Sequence, residues 1–271
     1  MRIIDAHVHV LDRYPSMTPF EDLGRVDRLL HLMDGAGVEK AVMLPVVADF
    51  APDNNQQCAR WSKEHPDRLL TMTDVSLDQP EAPIQVREAR ERYGAVAISC
   101  YPARGLAWMT AAETEPLWQA FADTGLKCNL HVTPEDYPHA IAVARSHPDI
   151  ILLLNHFGLP KAGKVRADSV SYGGLGDARD LGNLYVKISA FYSVAEDEAW
   201  NPHCTGALDY LHSLKELFGV ERLLFGTDWP PAGNHLTYRQ CVEIGRSIAD
   251  GLDDAERARL LAGTAEAVFA T

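Results

Sequence analysis

Short apolar, β-branched runs alternate with amphipathic stretches along the whole chain. Eight runs read as strands: RIIDAHVHV from Arg2, KAVMLPVV from Lys40, RLLTMTDV from Arg68, AVAISCY from Ala95, KCNLHV from Lys127, IILLLNHF from Ile150, LYVKISA from Leu184 and RLLFGTD from Arg222. They start roughly 31 residues apart on average, the length of a strand–helix–strand repeat. Between them, VDRLLHLMDGAG from Val26, APIQVREARERYG from Ala82 and TEPLWQAFADTG from Thr114 carry helical periodicity and stop at glycine. The turn HPD recurs at His65 and His147, each time ahead of a strand. Strands alternating with helices imply a parallel sheet. Eight repeats in 271 residues predict an α/β fold of the (β/α)8 TIM-barrel type, which typically takes about 250. An open doubly wound sheet would place a glycine-rich phosphate turn after its first strand. Here that strand ends in HVHV, and G-x-G-x-x-G occurs nowhere. SYGGLGDARDLG from Ser171 precedes a strand and is expected to be a mobile loop with a short helix. With no linker or low-complexity stretch, residues 1–271 are expected to form one domain.

Composition narrows the class. Hydrophobic residues make up 46% and charged residues 23%, which suits a globular enzyme and excludes a disordered or collagenous chain. The net charge of −13 argues against nucleic acid and against an anionic membrane surface as partners. The cysteines (Cys58, Cys100, Cys128, Cys204 and Cys241) are odd in number and dispersed, which suits a reducing compartment. The N-terminus lacks the apolar run of a signal peptide, and no apolar stretch reaches membrane-spanning length. A cytoplasmic protein is expected.

The chemistry gathers at strand ends. His7 and His9 sit two apart at the end of the first run, so strand alternation points both imidazoles to one face. Taken alone, the pair is explained as well by two histidines bonded to backbone carbonyls. However, His131 ends the fifth run, His156 the sixth and Asp228 the eighth. Barrel enzymes draw their catalytic residues from the carboxyl ends of several strands. His7, His9, His131 and Asp228 offer three nitrogens and one oxygen, a zinc or manganese shell with room for water. His156 is then a general acid or base, or Asp228 takes the water proton. Asp5 shares the face of the H-x-H in this reading and orients a histidine. Lys187 lies mid-strand in YVKISA, on the face of Tyr185 and Ser189. A lysine inside a barrel needs a partner, either an anionic substrate group or Asp228 or Glu196. Tyr101 and Arg104 follow the fourth strand and are candidates to grip a substrate carboxylate or hydroxyl. Trp108, Phe191 and Trp229 either wall the mouth or pack the core.

With these residues in place, the chain resembles the amidohydrolase superfamily, in its amidohydrolase-related branch of TIM-barrel metal-dependent hydrolases. The resemblance rests on IDAHVHV at Ile4–Val10, NLHV at Asn129–Val132, LNHFG at Leu154–Gly158, YVKIS at Tyr185–Ser189, LLFGTDWP at Leu223–Pro230 and GTAEAVF at Gly263–Phe269. It implies metal-binding positions at His7, His9, His131 and Asp228, and a catalytic histidine at His156. Members with two metals carry a bridging Lys or Glu at the end of the fourth strand. Here that strand ends in Cys100 and Tyr101, so the resemblance implies one divalent metal at most, and metal-free catalysis stays open. The KIS run is similar to that of sugar-acid and aromatic-acid lactonases, and the branch also holds nonoxidative decarboxylases and hydratases.

The leading expectation is a hydrolase opening a lactone of a small carboxylated or hydroxylated acid. The alternative is a metal-dependent decarboxylase or hydratase of an aromatic or unsaturated acid. A noncatalytic ligand-binding barrel is disfavoured because the five cluster residues His7, His9, His131, His156 and Asp228 are all present. The expected partner is an anionic small molecule, and homo-oligomerisation is left open.

Overall fold

The computed structural model describes residues 1–47, 51–102, 104–195, 199–201 and 204–270. Nine strands are assigned among them: β1 (Ile4–Val8), β2 (Lys40–Met43), β3 (Leu69–Thr71), β4 (Thr73–Asp74), β5 (Ala97–Cys100), β6 (Lys127–Leu130), β7 (Leu152–Leu154), β8 (Leu184–Ile188) and β9 (Leu223–Phe225). All pairings are parallel, in the order β1-β2-β3 and β4 through β9. β3 and β4 are the two halves of one predicted run, interrupted at Met72, whose N–H donates back to Met43. At the other seam, Asp228 N–H donates to the His7 carbonyl (2.9 Å) and His9 N–H to that of Trp229 (2.6 Å). These bonds join the segment that follows β9 to β1, the seam that a (β/α)8 barrel requires.

The helices form where the periodicity places them. They are α1 (Val26–Ala36), α2 (Asn54–Glu64), α3 (Ala82–Tyr93), α4 (Glu115–Thr124), α5 (Tyr137–Ser146), α6 (Thr205–Phe218), α7 (Tyr238–Ala249), α8 (Asp254–Ala258) and α9 (Thr264–Phe269). α1 and α3 stop where Gly37 and Gly94 take left-handed backbone angles that a Cβ would disfavour. The two HPD turns end α2 and α5 at His65 and His147. Between β7 and β8 the expected mobile loop is instead packed. Its 3-10 turn buries Tyr172, Leu175 and Ala178, and the Tyr172 hydroxyl donates to the Phe157 carbonyl at 2.9 Å.

The core has two shells. Outward residues such as Ala41, Met43, Ile98 and Val186 pack with the helices. Ile4, Ala6, Val42, Leu153 and Leu224 form an inner cluster, against which α9 lays Ala265, Val268 and Phe269. The five cysteines are buried and free. Among the described residues no helix is long and apolar enough to cross a membrane.

Candidate functional site

The first strand aims its residues by an irregularity. Asp5 pairs with Ala41 but Val8 with Met43, so β1 holds one extra residue between them. Such a bulge flips the alternation of side chains across it. Ala41 and Met43 face the helices, so Asp5 and Val8 do too, while His7 and His9 turn inward. Asp5 therefore does not share the face of the histidines as expected. Its Oδ1 accepts from the backbone N–H of His7 (3.1 Å) and Thr227 (2.9 Å), and its Oδ2 from the hydroxyls of Thr227 (2.6 Å) and Tyr238 of α7 (3.1 Å). It holds the backbone of β1 to the segment after β9, leaving the imidazoles to other partners.

Three predicted residues meet at one point. His7 Nε2 and His9 Nε2 lie 3.3 Å apart, and Asp228 Oδ1 lies 3.3 Å from the first and 3.4 Å from the second. The corners of a tetrahedron with bonds of roughly 2.0–2.1 Å are roughly 3.3–3.4 Å apart, so the three edges match a zinc-like ion held by N, N and O. The donor chemistry fits as well. His9 Nδ1 sits 2.9 Å from the Leu44 carbonyl, which only accepts. Its proton is therefore on Nδ1, and the lone pair of Nε2 faces the centre. These residues can hold a divalent metal. His156 follows closely, with Nε2 3.9 Å from Asp228 Oδ1 and Nδ1 3.0 Å from Ser189 Oγ. His131 stands outside the trio, stacked on Tyr101 at 5.1 Å and edge-on to His156 at 5.4 Å.

Both His156 and Asp228 adopt left-handed backbone angles, with φ of 54° and 63°. Non-glycine residues in that region typically cost about 1–3 kcal/mol and concentrate at functional sites.

The electrostatics separate the groups. Burial, reinforced by Lys187 and the neighbouring rings, holds His7 well below the ordinary imidazole range. Burial also lowers His156 to about 3, outweighing the opposite pull of Asp228. For Asp228 burial acts upward, but His156, His9 and the Tyr192 hydroxyl outweigh it and hold the carboxyl below its ordinary value. The buried rings of His7 and His156 are thus held neutral beside an Asp228 carboxyl shifted toward ionisation. Lys187 is fully buried and, among the described residues, its Nζ has no hydrogen-bond partner. Burial lowers it to about 7 against the pull of Asp5 and Asp228. Glu196, the other expected partner, lies outside the described residues.

A pH dependence of stability follows. His7 and His156 stay neutral in the fold, whereas in an unfolded chain they take up protons near 6.5. A depressed histidine stabilises the fold above its unfolded pKa, and that stability is lost as pH falls. Asp5, raised to about 6 by burial, acts the other way between about 6 and 3.8, but it is one group against two. Thermal unfolding of metal-free protein is expected to move to clearly lower temperature between pH 7 and pH 4.5. An unchanged midpoint would contradict neutral buried histidines.

The remaining predicted residues divide. Tyr101 is half-buried against His131. Arg104 is exposed, and among the described residues no hydrogen bond or ion pair ties it to the histidines. Trp229 donates its indole N–H to the Leu23 carbonyl, and Phe191 stacks on Phe225, so both pack the core. Trp108 donates to the carbonyl of Gly105 in its own loop. Sequence reasoning missed Tyr192, whose hydroxyl donates to Asp228 Oδ2 at 2.5 Å. It also missed Asn155, fully buried just after β7, whose side-chain amide has no hydrogen-bond partner among the described residues. The placement of Asn155 just before His156 in LNHFG was the available signal. Tyr192 lies in a loop and carries none.

Residues 4–271 match the family model described as amidohydrolase. The chain belongs to the amidohydrolase family. Among curated proteins, this amidohydrolase is 24% identical over 123 residues to an L-fucono-1,5-lactonase of Burkholderia ambifaria. That match covers 45% of the chain and only 41% of the relative's length. Among solved structures, a probable 2-pyrone-4,6-dicarboxylic acid hydrolase of Acinetobacter baumannii with citric acid bound shares the fold (TM-score 0.80, 18% identity, 100% of each chain). So does an amidohydrolase of Burkholderia multivorans with bound zinc (TM-score 0.76, 19% identity, 100% of this chain and 99% of that one).

Proposed function

We propose that this amidohydrolase opens the lactone ring of a small carboxylated or hydroxylated acid. The observation that carries the reading is an ionised Asp228 whose Oδ1 lies 3.3–3.9 Å from the Nε2 atoms of His7, His9 and His156. A relative named as a lactonase and a structural neighbour named as a hydrolase of a pyrone dicarboxylic acid support it. His7, His9 and Asp228 would hold one zinc or manganese ion, and the neighbour solved with bound zinc supports a metal of that kind. When bound, the ion supplies Lewis-acid polarisation of the lactone carbonyl.

The protein's own residues do the rest. Asp228 Oδ1 accepts a proton as water adds to the carbonyl carbon. The buried charge of Lys187 favours the oxyanion that develops, a kind of stabilisation typically worth about 3–4 kcal/mol per well-placed donor. As the ring C–O bond breaks, His156 passes the proton from Asp228 to the leaving alkoxide. Tyr101 beside His131 and the exposed Arg104 bind the carboxylate or hydroxyls of the anionic acid.

The test is a panel of aldonolactones and carboxylated lactones, followed by acid release, with elemental mass spectrometry of the same sample. Turnover of at least one lactone with about one zinc or manganese per chain is expected. Lactone opening by metal-free protein would move the chemistry to Asp228 and the histidines alone. No lactone opening, with carbon dioxide released from hydroxybenzoates, would replace the reading with a decarboxylase.

A further inference from the structure

We propose that Tyr192 is a positioning residue for the metal site, dividing the two oxygens of Asp228 so that Oδ1 alone faces His7 and His9. The inference rests on the metal-holding part of the proposed function and needs no particular substrate. The geometry assigns the two oxygens different tasks. Oδ1 lies 3.3, 3.4 and 3.9 Å from three imidazole nitrogens, while Oδ2 accepts the Tyr192 hydroxyl at 2.5 Å. A hydroxyl bond to an ionised acceptor at that distance is among the stronger neutral-to-charged bonds.

The backbone brings Tyr192 there. β8 ends at Ile188, and Ala190 takes a left-handed φ of 55° that starts the 3-10 turn Phe191–Ser193. Tyr192 then stacks its ring on His235 at 4.8 Å and 24°. Phe191 and Val194 on either side are buried. The ring thus lies between the loop after β8 and the loop after β9, with its hydroxyl on Asp228 Oδ2. Rotation of a carboxylate about its last torsion is otherwise soft. Without the hydroxyl, Oδ2 loses its donor, and either oxygen can turn toward the imidazoles.

Partners that orient a metal ligand in this way typically contribute about 10–100-fold in metal affinity. The experiment compares wild type and Tyr192→Phe, prepared metal-free. Zinc dissociation constants come from chelator competition, and the visible spectrum of the cobalt(II)-substituted protein reports ligand geometry. Tyr192→Phe is expected to weaken zinc binding by about 10–100-fold and alter the cobalt spectrum, with the metal-free unfolding temperature little changed. Equal zinc affinity and an unchanged cobalt spectrum would overturn the proposal, as would a wild type that takes up neither metal. Should Tyr192→Phe not fold, His235→Ala removes the stacked ring and keeps the hydroxyl. That variant is expected to weaken zinc severalfold, and no change would overturn the proposal. If wild type binds zinc and Tyr192→Phe weakens it, but no lactone is opened, the lactonase reading fails while this inference stands.

Discussion

Asp228→Asn is expected to lower turnover of any lactone the wild type opens by about 10²–10⁴-fold, the range for loss of a positioned general base. Asparagine has nearly the shape of aspartate, and its carbonyl can still accept from Tyr192. It also tolerates the left-handed φ of 63° at this position as aspartate does. What it lacks is the negative charge and the proton-accepting oxygen 3.3–3.4 Å from His7 and His9. The substitution therefore separates chemistry from folding. Steady-state kinetics should show the loss in kcat, and thermal unfolding should shift by only a few degrees. A variant retaining a tenth of wild-type turnover would remove Asp228 from the role of base. A collapse of the fold would show that the carboxylate is structural in the first place.

Asp5→Ala should be the most damaging single change to stability near the site, at about 3–5 kcal/mol. The carboxylate is fully buried and accepts four bonds, two from backbone N–H groups and two from hydroxyls. Alanine strands those donors away from water, and each unsatisfied buried group typically costs about 1–3 kcal/mol. The hydroxyls of Thr227 and Tyr238 can rotate toward other acceptors, but the N–H groups of His7 and Thr227 cannot. For a chain of this size the loss corresponds to a fall of roughly 10 °C in unfolding temperature. Asp5→Asn keeps an acceptor for both N–H groups and lets the hydroxyls reverse, so it should lose less than half as much. Equal losses in the two variants would mean that the charge matters more than the bonds. A loss below about 1 kcal/mol for alanine would show that β1 and the segment after β9 are held by packing alone.

Much of the architecture is legible in the order of residues alone. Apolar runs of strand length separated by helical periodicity specify a parallel α/β fold, because each pattern states which side of its element is buried. α1 and α3 begin and end where Val26, Gly37, Ala82 and Gly94 place them. The strand-end positions of His7, His9, His156 and Asp228 point to one mouth, and the four do converge there. Counting strand ends is enough for that, since every parallel strand of a barrel delivers its carboxyl end to the same face.

Finer assignments depend on registers that local sequence does not carry. The extra residue in β1 turns Asp5 toward Tyr238 of α7 and away from the imidazoles, and strict alternation from Asp5 to His9 misses it. What stabilises that bulge is a carboxylate bonded to Thr227, 222 residues away. The grouping of His7, His9 and Asp228 into a trio that leaves His131 against Tyr101 is set by distances across the barrel. Tyr192 reaches Asp228 through a left-handed turn at an alanine, a residue type that does not signal such a turn. The sequence by itself thus determined the fold class, the family and the residues gathered at the mouth, because periodicity and strand-end chemistry are local. Only the tertiary structure decided which oxygen of Asp228 faces which nitrogen, because that depends on bonds between segments brought together when the barrel closes.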